Sequence, residues 1–437
     1  MSRPVRVIVV GAGIAGLVAA WRLRQGGADV TVLEIADRVG GRMTSDRVDG
    51  RIVDRGAQFL SAAYPILVPL AAELGLRLTP TGQTAAVLHG GVPRAIAPDK
   101  PWSPWTSGLL GLRGWLGLAR ASWRLSRGLA GIPQDDAAEW GGHDDEDAMV
   151  WAERTHGKDT AARMLEPMHY AFFFQTLRGS SRALLSALLR LAQRRAPTLA
   201  VQGGIGRIPE EMAKRLDVRL DTVVQAIEEH PDHMLLTLPS GRMRADYVIL
   251  ATPASAATRL RLPVDEDERS LLATRYSSTI NIVLATAPGW PLPHSMQGVY
   301  GVWFPQAERR HIAAIGVERA KDPAVAEVGE LLDVMLTSES ADRLLHLSDA
   351  EVMRTILPDL EPLLPGVAAH LRWARLTRWA EAMPRSPIGR LGAVARYRQA
   401  APGRRLLLAG DYMGLPWTDS AAETGQWAAQ TVLSAGS

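Results

Sequence analysis

The sequence of 437 residues contains no cysteine. This excludes disulfides, thiolate ligands for zinc or iron–sulfur clusters, and a cysteine nucleophile. No uninterrupted apolar stretch reaches the roughly 18 residues that a transmembrane helix needs. No group of His, Asp and Glu shows metal-ligand spacing, so we expect no metal site. Lysine is also scarce, and arginine carries nearly all of the basic charge; the only lysines are Lys100, Lys158, Lys214 and Lys321.

The composition is typical of a soluble globular enzyme. Apolar residues make up 47% of the chain and charged residues 22%, with a formal net charge of +3. This charge is too small to indicate a nucleic-acid partner, and none is expected. The chain is long enough for two domains and a large buried core.

The N-terminal segment predicts a dinucleotide-binding βαβ unit. An apolar run at 6–10 leads into Gly11-Ala12-Gly13-Ile14-Ala15-Gly16, and a helical pattern follows at 17–23. Glu34 closes a second apolar run, 18 residues after the last glycine of the motif. In such a unit the first glycine permits a tight turn, the second lets the backbone approach a pyrophosphate, and the third lets helix pack on strand. The residues predicted to contact the nucleotide are Gly11, Gly13, Ala15, Gly16 and Glu34.

The same segment has the basic residues, apolar run and small residues of a signal peptide. Removing it would destroy the predicted nucleotide site. We therefore expect the segment to be retained and the protein to be cytoplasmic.

Two further motifs indicate which dinucleotide is bound. One is the stretch 40–42, Gly-Gly-Arg, and the other is 56–58, Gly-Ala-Gln. With them the chain resembles the flavin-containing amine oxidase superfamily, which includes protoporphyrinogen oxidase and phytoene desaturase. The resemblance implies that the cofactor is FAD and that Arg42 reaches its phosphates. The residues that it adds to the predicted site are Gly40, Gly41, Arg42, Gly56, Ala57 and Gln58.

The C-terminal segment carries the matching half of the predicted flavin site. An apolar strand at 406–409 is followed by Gly410-Asp411, and a helix is predicted to begin near 418–421. A helix N-terminus carries partial positive charge, which suits the flavin edge where negative charge develops on reduction. The resemblance implies that Asp411 binds ribityl hydroxyls and that the backbone of Val224 contacts the adenine. The predicted site is completed by Gly410, Asp411, Thr418, Ala421 and Val224.

The resemblance implies an α/β fold of two domains, with the architecture of amine oxidases and GDP-dissociation inhibitors. A Rossmann-like FAD-binding domain is predicted from three separate pieces, 1–75, 203–254 and 395–437. A substrate-binding domain of mixed α and β structure is predicted from the two inserts, 76–202 and 255–394.

Apolar runs predict several strands inside these pieces. Within the predicted FAD-binding domain they lie at 218–227, 234–238 and 245–252. In the second insert, strand-like runs at 279–286 and 311–317 are expected to form the floor of the substrate cavity.

Enzymes of this superfamily remove a hydride, or its equivalent, from a C–H bond next to nitrogen or in an allylic position. The flavin carries this chemistry, while the protein orients the bond and excludes water, so we assign no acid or base. The candidates to face substrate or flavin are Trp417, Asn281 and Tyr412. Because the cysteinyl flavin link of some amine oxidases is excluded here, the FAD is predicted to be non-covalent, and O2 is the expected electron acceptor.

One departure from the family bears on the substrate. Amine oxidases place a lysine near the flavin on a substrate-domain strand, and aligning that strand with 276–282 puts Asn281 at the lysine position. No lysine lies in this strand. We therefore favour an oxidase or desaturase of a hydrophobic metabolite over an amine oxidase that forms an imine and hydrogen peroxide. A lipid carrier without redox chemistry is a third hypothesis, which the flavin motifs at both ends disfavour.

Two other segments, 169–174 and 101–131, bear on the substrate cavity and on the surface of the protein. Tyr170 and the aromatic run 172–174 are expected to line the cavity in part, and His169 is expected to be structural. The segment 101–131 is rich in Trp, Leu, Gly and Arg. Such a segment is a candidate for peripheral contact with a membrane surface. The alternative is a helix pair of the substrate domain with solvated arginines.

Overall fold

The structure, a computed structural model, describes residues 3–129 and 131–435. The strands of these residues are β1 (Arg6–Val10), β2 (Asp29–Leu33), β3 (Ser45–Val48), β4 (Arg51–Asp54), β5 (Leu60–Ser61), β6 (Leu78–Pro80), β7 (Ala85–His89), β8 (Val92–Ile96), β9 (Thr198–Val201), β10 (Asp217–Arg219), β11 (Ala226–Glu229), β12 (Met234–Leu238), β13 (Gly241–Ala245), β14 (Tyr247–Leu250), β15 (Tyr276–Thr286), β16 (Gly301–Trp303), β17 (Ile312–Val317), β18 (Leu331–Leu336), β19 (Leu371–Pro384) and β20 (Leu406–Leu408).

The α-helices of the same residues are α1 (Ile14–Gln25), α2 (Leu67–Glu73), α3 (Ser103–Thr106), α4 (Leu112–Gly128), α5 (Ala148–His156), α6 (Lys158–Thr160), α7 (Glu166–Phe173), α8 (Arg182–Gln193), α9 (Arg207–Ala213), α10 (Ala254–Ala257), α11 (Glu266–Leu272), α12 (Ser338–Leu344), α13 (Asp349–Leu360), α14 (Val367–His370), α15 (Arg390–Ala400) and α16 (Thr418–Ala435). In this part of the chain no helix is both long and apolar enough to cross a bilayer.

A parallel sheet in the order β10-β2-β1-β14-β20 forms the first centre of the fold. Its inner strands β1 and β14 are apolar almost throughout and buried, which is typical of a parallel sheet covered on both faces. The strands come from three separate parts of the chain, and each part lies within one of the three pieces predicted for the FAD-binding domain. The domain boundaries themselves stay a prediction.

Two helices pack closely beside this sheet. A Cβ on Gly425 of α16 would collide with the carbonyl oxygen of Ala15 in α1, so the small residue permits the close crossing. Helix α1 follows β1 and α16 follows β20, and both therefore begin beyond the carboxyl ends of parallel strands. That edge is where open α/β sheets bind their ligands.

The second sheet has seven strands in the order β19-β15-β18-β17-β16-β7-β8. One face of the long strand β15 carries Ile280, Ile282 and Leu284, which belong to a buried cluster with residues of α12 and α13. On the other face Val283 packs against Val53 of β4. Asn281 lies on this second face, which is turned towards the nucleotide motifs.

The predicted strands at 234–238, 245–252, 279–286, 311–317 and 406–409 are confirmed to within a few residues. The single strand predicted at 218–227 is wrong. It is divided into β10, in the parallel sheet, and β11, which pairs antiparallel with β12. Asp221 lies between them with φ +49°, and this left-handed residue turns the chain out of the first sheet.

Candidate active site

The turn between β1 and α1 packs tightly against the backbone of Ala251 on one side and is open on the other. Gly11 has φ +105°, and a Cβ there would lie 2.8 Å from the carbonyl oxygen of Ala251. A Cβ on Gly16 would collide with the carbonyl oxygen of Gly11. At Gly13 no atom of the described residues lies within 4 Å of the Cβ position. The open side is therefore at Gly13, where a pyrophosphate would need room.

Glu34 follows β2 and faces this turn. Its Oε2 accepts a hydrogen bond of 2.6 Å from the N–H of Ala12, and its Oε1 accepts one of 2.9 Å from the N–H of Ala36. Its carbonyl oxygen accepts a 2.8 Å bond from the N–H of Thr222. The segment that carries Val224 is thereby brought beside Glu34.

The Gly-Gly-Arg motif lies directly against the Gly-rich turn. The N–H of Gly40 donates a 2.8 Å hydrogen bond to the carbonyl oxygen of Ala12, and Gly40 bridges to Gly13 as in a parallel ladder. Gly41 has φ +56°, and its Cβ position is 3.6 Å from the Cα of Gly13. The two glycine motifs thus form one continuous backbone surface.

Arg42 extends from this surface to the C-terminal part of the chain. Its guanidinium lies 2.7 Å from a carboxylate oxygen of Asp411 and donates a 3.0 Å hydrogen bond to the carbonyl oxygen of Ala382. The phenol of Tyr276 donates to the same carboxylate at 3.2 Å. Burial opposes the charge of the guanidinium, but the nearby carboxylate outweighs it and raises the pKa of Arg42. The two predicted halves of the flavin site therefore meet at this ion pair.

The Gly-Ala-Gln motif is folded around the backbone of Arg42. A Cβ on Gly56 would collide with the carbonyl oxygen of Arg42, to which the N–H of Ala57 donates a 3.0 Å hydrogen bond. The side-chain amide of Gln58 donates to the carbonyl oxygens of Asp54 and Gly56, both at 3.3 Å. These contacts hold the backbone of the Gly-Ala-Gln motif against that of Arg42.

The loop that leads into α16 depends on Gly410, which has φ +126°. Its N–H donates a 2.9 Å hydrogen bond to Oγ1 of Thr424 in the helix. Thr418 is the first residue of α16, and Ala421 is buried one turn later. The helix N-terminus and Asp411 are therefore held close together.

These groups fit a dinucleotide. No side chain of the described residues caps the start of α1, so its first N–H groups are available to an anion. The open position at Gly13 lies beside them, and Glu34, the acid predicted to bind the ribose, contacts the same turn. Residue types and backbone shape thus suit the FAD that the motifs predict.

Trp417 precedes α16 and is fixed by hydrogen bonding. Its indole N–H donates a 2.6 Å bond to Oδ1 of Asp135, and its ring stacks on Phe173 with centroids 6.4 Å apart. Burial raises the pKa of Asp135 to about 6, although the bond from Trp417 lowers it. The neighbouring Asp419 accepts a 2.7 Å bond from the N–H of Leu67, and burial together with the charge of Asp135 raises its pKa to about 8.

The other two candidates to face substrate or flavin, Tyr412 and Asn281, are both buried. Tyr412 is fully buried, and its hydroxyl has no hydrogen-bond partner among the described residues. Its ring packs over Gly410, so the side chain faces the core and not an open cavity. Asn281 faces the Gly56 turn, where its amide donates to the carbonyl oxygens of Asp54 and Arg55 at 3.4 and 3.2 Å. It is buried in a contact between two backbone segments.

A row of aromatic rings connects the Gly56 turn with Trp417. Successive centroids lie 6.2 Å apart from Phe59 to Phe172, 6.2 Å from Phe172 to Phe173 and 6.4 Å from Phe173 to Trp417. Tyr300 and Trp303 flank the row, at 5.7 Å from Phe59 and 6.0 Å from Phe172. Phe59, Tyr300 and Trp303 were missing from the predicted site. Phe59 follows Gln58 directly, which was the one available signal.

Lys321 is a second buried group that the sequence did not predict to lie at the site. Its ammonium is buried 2.5 Å from Oε1 of Gln58, 3.0 Å from Glu318 and 3.5 Å from Asp54. Asp333 is buried in the same cluster, close to Lys321, Glu318 and the side chain of Asn281. Burial raises the pKa of Asp333 well above its usual value, and the charge of Glu318 adds to this effect. A carboxyl whose neutral form is favoured by burial and the ammonium of Lys321 therefore lie together behind the Gly56 turn.

His169 is structural, as its burial and bonding indicate. Its Nδ1 lies 2.9 Å from the carbonyl oxygen of Gln175, and its ring packs edge-on against Phe173. Burial lowers its pKa to about 4, so the imidazole is neutral near pH 7. Tyr170 on the same helix is also fully buried and does not line an open cavity.

The sheet, the paired glycine motifs and the family likeness together define a flavin-containing oxidoreductase. The chain belongs to the family described as flavin containing amine oxidoreductase, whose profile matches residues 14–433. It is 30% identical over 442 residues to the coproporphyrinogen III oxidase of Mycobacterium bovis, an alignment that covers 93% of this chain and 92% of the relative.

A second relative is named for a different activity, the oxidation of amines. The chain is 30% identical over 273 residues to the Mycobacterium tuberculosis protein named "Putative flavin-containing monoamine oxidase AofH". This alignment spans 57% of each chain, a little over half the length of that relative.

Solved structures share the fold along nearly the whole chain. One is titled "Putative protoporphyrinogen oxidase from Exiguobacterium sp. 255-15", with a TM-score of 0.79 and 21% identity over 99% of each chain. Another is putrescine oxidase bound to putrescine, with a TM-score of 0.78 and 20% identity over 99% of each chain. At these identities the likeness establishes the shared α/β architecture.

Proposed function

We propose that the protein is an FAD-dependent oxidase or desaturase that takes a hydride from an activated C–H bond of a hydrophobic metabolite. The row of aromatic rings from Phe59 to Trp417 carries this proposal. Such a surface favours an apolar substrate and excludes water from it. Bound FAD would supply the hydride acceptor. Because the chain has no cysteine, we propose that FAD is held without a cysteinyl bond, and that O2 is the final acceptor.

In this proposal the chain's own residues position the substrate and do not act as acid or base. The bond to Asp135 fixes the plane of Trp417, and Phe173 stacks against it. A fixed aromatic plane orients a flat or polycyclic substrate at small entropic cost. The neutral His169 behind Phe173 is already bonded to the backbone and carries no charge to the cavity.

The second candidate is an amine oxidase that forms an imine and hydrogen peroxide. The buried lysine at 321 favours it, because its ammonium reaches Gln58 although no lysine lies on β15. This candidate agrees with the names of the monoamine oxidase relative and of putrescine oxidase. The first candidate agrees with the names of the two porphyrinogen oxidases.

An anaerobic substrate screen separates the two. Flavin-loaded protein would be mixed without O2 with coproporphyrinogen, an isoprenoid polyene, and a panel of primary and secondary amines. Loss of the visible flavin absorbance with coproporphyrinogen or the polyene, but not with amines, supports the first candidate. Loss with amines alone supports the second. If reduction by amines needs the lysine, Lys321→Met should abolish it and Lys321→Arg should retain part of it. Flavin that no compound reduces would argue against both.

We also propose that the segment 101–131 rests on an anionic membrane surface. In α4 only Ala121 is buried, while Leu112, Leu116 and Trp123 are 48%, 49% and 58% exposed along one stripe. The arginines of α4 lie beside this stripe, and residues 100–134 contain no Asp or Glu. Exposed Trp and Leu beside uncompensated Arg suit the interface of an anionic bilayer. Ala130 of this segment lies outside the described residues.

A further inference from the structure

A cavity of about 580 Å3 lies on the far side of the loop that carries Asp411. Its walls are the turn after α7 (175–180), the end of α11 with the turn into β15 (270–275), and the residues around the start of α15 (385–396). Neither Asp nor Glu lines it. Its charged lining residues are five arginines: Arg178, Arg275, Arg385, Arg390 and Arg396.

The hydrogen bonds of the inner arginines go to neutral oxygens. Arg390 is buried and donates to the carbonyl oxygens of Tyr412 and Gly414, the latter at 2.7 Å, while its Nε has no partner among the described residues. Arg385 donates to the carbonyl oxygen of Tyr276 at 3.4 Å. Within the part of the chain that the structure describes, no ion pair joins any of the five guanidinium groups to a carboxylate.

The two carboxylates whose charges act on Arg390, those of Asp144 and Asp411, are engaged elsewhere. Asp144 accepts bonds of 2.7 and 3.1 Å from the N–H groups of Leu391 and Gly392 and so caps α15. Asp411 is paired with Arg42. Both act on the charge of Arg390, yet burial outweighs them and lowers the pKa of that guanidinium. Arg390 is therefore a buried cation without a carboxylate partner among the described residues, in a cavity lined by four further arginines. A buried charge of this kind is costly unless an anion joins it.

We infer that this cavity binds a small polyanion, a molecule that bears two or more carboxylate or phosphate groups. Guanidinium groups match both in a bidentate geometry, which lysine does not offer. Arg178, Arg275 and Arg396 are exposed at the rim and can meet the ligand first. Arg385 and Arg390 line the cavity deeper, and Arg390 links an occupant to the loop 411–414. The inference is independent of which C–H bond the enzyme oxidises.

Calorimetric titration of the flavin-loaded protein tests the inference. The probes are citrate for carboxylates, pyrophosphate for phosphates, and acetate as a monoanion. We expect at least one polyanion to bind, and to bind at least about tenfold more tightly than acetate, since its additional acidic groups form further charge-assisted hydrogen bonds with the arginines. Whichever polyanion binds identifies the acidic group that the site prefers.

Paired variants show where the anion binds. Arg178→Ala/Arg396→Ala removes two rim charges, while Arg242→Ala/Arg259→Ala removes the same charge from exposed positions elsewhere. We expect the first pair to weaken polyanion binding at least about tenfold and the second to leave it within about twofold. Equal weakening by both pairs, or no polyanion binding to the unaltered protein, would overturn the inference. Flavin absorbance of each variant reports the cofactor site separately, so a failure of FAD binding is distinguishable.

Discussion

The guanidinium of Arg42 and the carboxylate of Asp411 lie 2.7 Å apart and connect the two ends of the chain at the candidate flavin site. Each belongs to a different predicted cofactor motif, and Tyr276 is hydrogen-bonded to the same carboxylate. The pair therefore fixes the relative position of the N-terminal glycine motifs and the loop before α16.

Asp411→Asn should weaken FAD binding. The change removes the negative charge that holds Arg42 while keeping the size of the side chain. Because a hydrogen bond to a charged group contributes about 1.5–3 kcal/mol, we expect a loss of affinity of roughly 10- to 100-fold. Titration of the apoprotein with FAD, followed by flavin fluorescence, measures it. Asp37→Asn, at an exposed acid, is the matched control, and an equal affinity for both variants would argue against the assigned role.

The two glycines Gly13 and Gly16 should respond to alanine in opposite ways. Gly16→Ala places a Cβ against the carbonyl oxygen of Gly11, so we expect the apoprotein to lose about 1–3 kcal/mol or more of unfolding free energy. Gly13→Ala meets open space and should leave apoprotein stability nearly unchanged while reducing FAD affinity. Chemical denaturation and FAD titration of both variants test this contrast. A Gly13→Ala protein with normal FAD affinity would place the pyrophosphate elsewhere.

Stability should fall as pH rises because of Asp419. Its ordinary pKa is 3.8, and in the folded protein burial and the charge of Asp135 raise it to about 8. Between these values the folded state keeps a proton that the unfolded state has released, so the unfolding free energy decreases with rising pH across this window. Asp419→Asn should flatten the decrease, because an amide does not titrate in this window. Its carbonyl can still accept the bond from Leu67, so the local contact is kept. The measurement is denaturant unfolding at about pH 5 and about pH 9.

The exposed Asp267→Asn is the control for this titration. It should retain the pH dependence of the unaltered protein. The same slope in the Asp419→Asn and Asp267→Asn proteins would show that Asp419 does not hold the proton.

The outer face of α4 should bind anionic vesicles. Arg120→Ala/Arg124→Ala removes two charges, and at about 1 kcal/mol per basic residue near the surface it should weaken binding by roughly 30-fold. Sedimentation with vesicles of phosphatidylglycerol and phosphatidylcholine measures the loss, and Trp123→Ser should weaken binding by reducing apolar contact. Arg242→Ala/Arg259→Ala serves as the control. Equal binding to pure phosphatidylcholine would contradict an electrostatic contribution.

The nucleotide cradle was predictable because its requirements are local. Gly11 and Gly40 have positive φ, and Gly16 has a close backbone neighbour, so each position requires glycine. These requirements appear in the sequence as short glycine motifs. The acid at 34 and the strand before Gly410 follow from spacing and apolar runs. Each of these features depends on residues near one another in the chain.

The remainder of the site depends on contacts between distant segments. Tyr300 and Trp303 reach the aromatic row only because β16 joins the second sheet beside β7. Lys321 lies in the segment after β17. No local pattern in the sequence connects that segment with the Gly56 turn. At 220–225 the apolar pattern continues while the chain changes sheets, and periodicity alone did not predict the break.

We expect the cradle formed by the glycine motifs, Glu34 and Asp411 to hold FAD without a covalent bond. The absorbance spectrum of the purified protein, before and after acid precipitation, tests it most directly. We predict flavin bands in the native protein that move entirely to the supernatant. A colourless protein that cannot be reconstituted with FAD would contradict the account, and yellow colour retained in the pellet would contradict the non-covalent attachment.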